Sequence, residues 1–395
     1  MLKRLHLLLA LFILTVNAAM AQITTSEISG KITSDGENVI GATVTATHQP
    51  SGTVYRAVTN IDGRYTIQGM RPGGPYKVDI SYIGYKDKVI KNLNLSLGET
   101  ENISCSLQED AHQLQEVVVS GKAGLAASRT GAATSMTAEQ INNMPSITHG
   151  IADVARLNPQ LTVTNSGNMS FAGVNNRYNN FMIDGAANND VFGLASSGNN
   201  GGQAGAQPVS METIEQIQVS VAPFDVRQSG FTGGAINAIT KSGTNQFHGS
   251  AYYYGYNQDL IGTKYPYLDG TGYAPKYQKQ TQYNMGVTLG GPIIKNKLFF
   301  FANYERTNKE YPNLYGVDSG NSKVNTEQAK DILTMLQNIA EKQGVNFNDY
   351  YSNQDIYTKS DKAGLKLDWN INEFNKFAIR WSLVKAEQLS GGGSA

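Results

Sequence analysis

Three stretches decide the fold: Thr281–Gly290 reads TQYNMGVTLG, Lys362–Trp369 reads KAGLKLDW and Phe377–Val384 reads FAIRWSLV. In the first, Tyr283, Met285, Val287 and Leu289 alternate with Asn284, Gly286, Thr288 and Gly290. In the second, Ala363, Leu365, Leu367 and Trp369 alternate with Lys362, Gly364, Lys366 and Asp368; in the third, Phe377, Ile379, Trp381 and Leu383 alternate with Ala378, Arg380 and Ser382. A period of two puts one set on each face of a sheet. One set suits lipid and the other water, as in a transmembrane antiparallel β-barrel. The connections sharpen this. Gly291–Asn296 and Asn370–Glu373 are tight, whereas Asn308–Ile356 and the stretch from about Gln258 to Gln280 are long and polar. Short turns at one rim and long loops at the other are the barrel pattern. A soluble sandwich also alternates, but does not require that asymmetry.

The N-terminus begins Met1-Leu2-Lys3-Arg4, runs apolar from Leu5 to Val16 and reaches Ala19-Met20-Ala21 before Gln22. A basic start, a short apolar run and an A-x-A site predict a signal peptide over residues 1–21, cleaved after Ala21 with Ala19 and Ala21 as the recognised small residues. The run is too short to cross a bilayer as a helix. No Cys stands at the cut, which argues against a lipoprotein. Lys and Arg total 32 against 32 Asp and Glu, so there is no electrostatic footprint for nucleic acid. Cys105 is the sole cysteine and has no partner for an internal disulfide; it is expected to face a β core. The 41 Gly and 21 Tyr, beside 16% charged residues, suit β structure with many turns and aromatic girdles.

Between leader and barrel the chain divides further. Residues 22–108 read as a β-sandwich, with short strands at Ile28–Thr33, Ala42–Thr47, Tyr55–Thr59, Tyr65–Ile67 and Lys77–Tyr82 separated by Ser34-Asp35-Gly36, Pro50-Ser51-Gly52, Asp62-Gly63 and Arg71-Pro72-Gly73-Gly74. Asp62, an acid without acidic neighbours, reads as turn chemistry rather than a calcium ligand. Residues 109–122 form a polar linker around Val117-Val118-Val119, which reads equally as an edge strand or as a free segment able to join another protein's sheet. Residues 123–241 read as an α+β domain, too polar and Gly-rich to span a membrane. Thr137–Gln140 has capping-box spacing, Ile147–Leu157 has helical period, and Asn180–Asp184, Ile214–Val221 and Ala235–Thr240 read as strands. Residues 242–395 begin the barrel, with the first strand near Phe247–Tyr256. In its long loop Thr326 caps a helix whose stripe is Ala329, Ile332, Leu333, Leu336, Ile339 and Ala340, expected to pack on the loop or barrel mouth.

With that order in place the chain resembles the N-terminal part of a TonB-dependent outer-membrane receptor of the Bacteroidetes type. The nearest subgroup is the Oar-like receptors, which share their domain order with the SusC-like ones. Gly30–Ile32, Gly41–Val44 and Asp62–Ile67 are similar to the carboxypeptidase regulatory-like sandwich of these receptors. Glu116, Val117, Val118 and Val119, followed by Ser120-Gly121, match their TonB box. Phe181–Gly185 (FMIDG) and Gly233–Asn237 (GGAIN) resemble plug motifs, and Thr240–Ser250 (TKSGTNQFHGS) with Gly290-Gly291-Pro292 resembles the entry into the barrel. The resemblance covers nearly the whole mature chain. It departs in one respect: plugged transporters have about 22 strands, and this chain supplies roughly five. Completion would take on the order of 500 further residues, so the sequence reads as a fragment of a longer barrel.

Enzymatic chemistry is not legible. The histidines at 6, 48, 112, 149 and 248 have no ligand at metal spacing, no G-x-S-x-G elbow appears, and Gly198–Gly205 lacks the ending of a phosphate loop. The reading therefore calls for no catalytic residue, no metal and no cofactor. The resemblance implies import through a plugged barrel: ligand binds from outside, and the TonB box pairs in the periplasm with TonB of the TonB-ExbB-ExbD system. It further implies outer-membrane lipids as surroundings and, in SusC-like systems, a surface lipoprotein. Polar plug loops carry the ligand-facing candidates Asn175, Asn176, Arg177, Tyr178, Asn188, Asn189 and Asp190, although Asn-rich stretches also serve as turns. The competing reading is a secreted or cell-surface sandwich-bearing adhesion protein without transport.

Overall fold

A computed structural model describes residues 24–109, 117–120, 132–146, 149–164, 169–190, 192, 195, 197–221, 231–260, 279–313, 326–344 and 355–390. The predicted signal peptide with Ala19 and Ala21 lies outside the described residues, as does Glu116.

Two sheets face each other in the N-terminal domain. The first is built on β1 (Ser26–Ser34), flanked by β2 (Glu37–Asn38) and β5 (Arg64–Met70), with β8 (Thr100–Asn102) and β9 (Cys105–Ser106) joining β1 in parallel. The second runs β10-β7-β6-β3-β4, from β3 (Thr43–His48), β4 (Thr53–Val58), β6 (Gly73–Ser81), β7 (Lys88–Leu95) and β10 (Val117–Ser120). Alternation does the work: Ile28 and Ile32 of β1 meet Val44 and Ala46 of β3 and Tyr76, Val78 and Ile80 of β6 in one core. Cys105 packs half-buried against it. Strands β1 and β3–β6 stand where the sequence predicts them, whereas β7–β9 form without a predicted counterpart.

The α+β domain has the sheet order β11-β16-β17-β14-β15: β11 (Ala132–Thr137), β14 (Asn180–Ile183), β15 (Ala186–Ala187), β16 (Ile214–Val221) and β17 (Gly234–Thr240). A two-stranded ribbon, β12 (Leu161–Val163) with β13 (Met169–Phe171), stands beside it. Along β16, Ile217, Val219 and Val221 face a core shared with Ile141, Ile151, Val154, Phe171 and Phe181. Gln216 and Gln218 occupy the opposite face and are buried too. Helix α1 (Ala138–Asn143) starts with the expected capping box, Thr137 and Gln140 each satisfying the other's backbone. Helix α2 is shorter than its periodicity suggests, Ile151–Ala155, because His149 takes a left-handed turn (φ 47°) and Gly150 becomes the cap.

The last sheet is an antiparallel meander of β18 (His248–Asn257), β19 (Thr281–Ile294), β20 (Leu298–Tyr311), β21 (Ile356–Asn370) and β22 (Lys376–Leu389), each paired with the next. Its inner face carries Gln282, Asn284, Glu305, Thr307, Ser360 and Lys362, all buried. Its outer face carries Val287, Leu289, Ile379, Trp381 and Leu383, each about half exposed at 50–56%. Apolar side chains outward and polar ones inward are the inverse of a soluble fold and fit a wall between lipid and lumen. Among the described residues the sheet is open, with β18 and β22 as its edges.

The entry into this wall explains its glycines. A Cβ on Gly243 would strike the carbonyls of Gly291 and Phe300, so the chain can cross β19 and β20 only as glycine. Asn245 and Asn296 then tie the crossing to the first tight turn, Asn245 Nδ2 donating to Asn296 Oδ1 at 2.7 Å and Asn296 N to Asn245 Oδ1 at 2.8 Å. Helix α3 (Thr326–Lys342) forms in the long loop as the stripe predicts. Its packing does not follow: Ala329 is buried, but Ile332 and Ile339 of the stripe remain 43% and 47% exposed.

Candidate functional site

The plug-like domain meets the wall through charge. After β14 the chain turns at Asp184 in the left-handed region (φ 48°), which aims its carboxylate across the end of β17. There it accepts from Thr240 N at 2.8 Å and from Thr240 Oγ1 at 2.6 Å. Lys366 Nζ of β21 lies 3.3 Å from it and Arg380 Nε of β22 3.4 Å. Lys366 also donates to the Thr240 carbonyl at 3.1 Å. A second tie sits farther along the wall. Glu305 of β20 accepts from Lys362 Nζ at 2.6 Å, from Ser210 Oγ at 2.6 Å and from Tyr252 Oη at 2.7 Å. Ser210 is the one member of that set from the plug side, so a buried ion pair reaches into the plug by one hydroxyl. Two cations on one carboxylate, one hydroxyl on the Glu305–Lys362 pair, and Tyr254 of β18, which donates to Glu212 Oε1 at 2.8 Å and stacks on His149, hold the domain by contacts that can be broken singly.

The loop candidates fall into place unevenly. Asn175 Oδ1 accepts from Arg177 N at 3.0 Å and opens a single 3-10 turn, Asn176–Tyr178. The carbonyl of Tyr178 accepts from both Thr232 N and Gly233 N at 3.1 Å, while the residue as a whole is 59% exposed. Asn189 bridges Phe181 N (2.7 Å) and Asn180 Oδ1 (3.0 Å), and Asp190 accepts from Phe192 N and Ala195 N. These two thus hold turns together. Asn188 donates its backbone N–H to Phe181 O at 2.7 Å, and its Oδ1 is buried with no hydrogen-bond partner among the described residues. The two loops meet at Gly198: Asp190 N donates to Gly198 O at 3.0 Å, and a Cβ there would touch Asn176 O. Just beyond, Gly201 and Gly205 lie against Val384, Thr358 and Gln388, at the long-loop ends of β21 and β22. The candidates therefore share the face of the plug directed away from the tight turns.

The linker triplet lies at the other end. Val117–Ser120 forms β10, parallel to β7 with Val117 opposite Lys88 and Ser120 opposite Lys91, as the outermost strand of the second sandwich sheet. Of the two readings open at the sequence level, the backbone takes the edge strand. No group of three His, Cys, Asp or Glu suited to a metal occurs among the described residues. Asp184 itself was legible only as part of the FMIDG motif; its partners lie 182 and 196 residues away, and strand alternation gives no hint of which inward cation meets it.

Three families match successive segments. Residues 27–108 match the Carboxypeptidase regulatory-like domain, residues 126–236 the TonB-dependent Receptor Plug Domain and residues 239–319 the Outer membrane beta barrel domain. The TonB-dependent transporter Oar of Myxococcus xanthus is 29% identical over 273 residues, 66% of this chain and 24% of Oar. The probable TonB-dependent siderophore receptor PirA of Acinetobacter baumannii is 25% identical over 188 residues, 44% of this chain and 22% of that receptor. The crystal structure of the latter superposes with a TM-score of 0.45 at 20% identity, over 66% of this chain and 32% of the other. The chain thus spans about a quarter of the length of the curated relatives it matches.

Proposed function

We propose, from the premise that this chain carries the N-terminal domains of a TonB-dependent outer-membrane receptor, that it forms the periplasmic sandwich, the plug and the first wall of a ligand-gated importer energised by TonB. The observation that carries this reading is the plug packed against the polar face of a sheet whose other face is apolar, joined by Asp184 to Lys366 and Arg380. A plug held by a few polar ties can shift when pulled, whereas one fused to the wall by a shared apolar core could not. Ligand enters from the long-loop side, where Asn175, Asn176, Arg177, Tyr178, Asn188, Asn189 and Asp190 cluster. Of these we assign direct contact to Tyr178, which is 59% exposed, because Asn175, Asn189 and Asp190 are occupied in turns and the Asn188 side-chain oxygen is buried. Glu116, Val117, Val118 and Val119 are the segment that adds to TonB by β-augmentation. The chain's own role is passage rather than chemistry, without cofactor or metal.

Binding of the purified periplasmic domain of TonB to the full-length receptor tests this. Val118→Pro removes a backbone donor in the pairing strand and is expected to abolish capture, while Val118→Thr retains it. A receptor that never captures TonB, or that is recovered soluble rather than in the outer membrane, overturns the importer reading.

A further inference from the structure

The sandwich is not a free appendage. It touches both the plug and the wall, at the rim of tight turns. On the plug side, Gln216 Nε2 donates to Leu95 O and Gln218 Nε2 to Leu97 O, each at 2.9 Å, while Leu97 N donates to Gln216 Oε1 at 2.8 Å. On the wall side, Arg56 Nη1 reaches both carboxylate oxygens of Glu373 at 2.8 Å, and Asn370 Nδ2 donates to Thr53 Oγ1 at 2.9 Å. Asn245 N donates to Pro50 O at 2.8 Å, and Lys376 Nζ stands 3.4 Å over the Tyr55 ring.

This seam is built to part. The sandwich core and the plug core are two separate clusters with no residue in common. Where sandwich, plug and wall converge, a cavity of about 320 Å³ remains between Tyr55, Arg71, Asp184, Phe299, Lys366 and Lys376. Asp368 Oδ2 beside it has no hydrogen-bond partner among the described residues. A polar seam with a hollow loses little when water replaces it, unlike a close-packed core. The seam is also wired to the segment that would be pulled: β10 pairs with β7 at Lys88–Lys91, and β7 ends at Leu95, whose carbonyl holds Gln216.

We propose that the sandwich is a releasable clamp: at rest it ties the plug to the periplasmic rim of the barrel, and tension on the Val117–Ser120 segment, transmitted along β7, detaches it. The release step rests on the importer reading; the clamp itself does not.

The test uses the full-length receptor in detergent, carrying Cys105→Ser and Ser210→Cys. Ser210 is buried between plug and wall, so alkylation of a thiol at that position by N-ethylmaleimide in moderate urea reports loosening of the plug. Gln216→Ala with Gln218→Ala removes the plug half of the seam without touching the plug core, and is expected to speed alkylation about tenfold. Thr53→Cys with Asn370→Cys, oxidised, is expected to slow it about threefold or more, reversibly with reductant, since the closed crosslink removes the detached state. Equal rates in all three receptors overturn the clamp. Capture of the periplasmic domain of TonB is measured on the same preparations: its failure overturns the importer reading and the release step, whereas equal rates with TonB captured overturn the clamp alone. TonB captured by the oxidised receptor is expected to leave the alkylation rate unchanged, and an increase there overturns release as the route to plug movement.

Discussion

At Asp184 one carboxylate, placed by a left-handed turn, faces two barrel cations, and its removal leaves Lys366 and Arg380 without their acid. Its side chain is 17% exposed, so the full penalty of breaking a buried pair does not apply. Asp184→Asn should cost about 1–3 kcal/mol of plug retention, read as a lower urea concentration for protease access to the plug. The loss should shrink when Lys366→Met is already present, and an unchanged loss would assign the tie to Arg380 alone. His48 supplies a prediction in pH. It is buried beside Tyr76 and bonded to Ser51 Oγ at 2.6 Å, and burial, with the Arg71 charge second, holds its pKa down to about 3. The folded state therefore disfavours the protonated ring. Stability is complete above the unfolded value near 6.5 and falls as pH drops from there toward about 3, by up to about 1.4 kcal/mol per pH unit. The urea midpoint of the sandwich should fall between pH 7.5 and pH 5, and His48→Gln should flatten that slope. Neither role was legible beforehand: His48 looked like a lone histidine, and the partners of Asp184 are distant in sequence.

Among the elements, what could be read was what repeats. The alternation in β19, β21 and β22 was strong enough to assign both faces, because lipid and lumen demand opposite chemistry from adjacent residues. The strands β7–β9 were not, because two of them have three residues or fewer and β7 carries Lys91 and Asn92 within its run. Helix α3 shows the complementary failure: its stripe formed a helix as expected, but a stripe does not specify what covers it. The register predicts unequal effects along β22. Ile379 and Trp381 point outward and Arg380 inward. Leu383→Arg, midway along β22 and outward-facing, should destabilise the assembled barrel by about 2–4 kcal/mol. Ser382→Arg, on the lumen side, should leave heat-modifiable migration intact. Equal loss for both would mean that the strand faces water on both sides.

For the whole molecule the decisive asymmetry is between the three domains' debts to their surroundings. The sandwich closes its own core from Ile28 to Leu107 with residues of residues 24–109 alone. The plug buries its apolar core within itself but leaves Gln216, Gln218 and Ser210 to partners outside it. The wall satisfies least by itself: five strands leave the backbone groups of two edges open, which neither lipid nor water-excluding surroundings tolerate. Stability should therefore be graded along the chain. When residues 22–395 are produced alone in water and treated with a broad protease, the fragment that persists is expected to begin near residue 24 and end near residue 109. Plug peptides should disappear sooner and the apolar strand peptides should be found in aggregates. In the full receptor within its membrane the order should reverse, the wall outlasting the sandwich, because closure then removes the open edges. Survival in water of one fragment spanning plug and strands would instead mean that β18–β22 bury their outward side chains against protein, and the lipid-facing assignment of Val287, Leu289, Ile379 and Trp381 would fall with it.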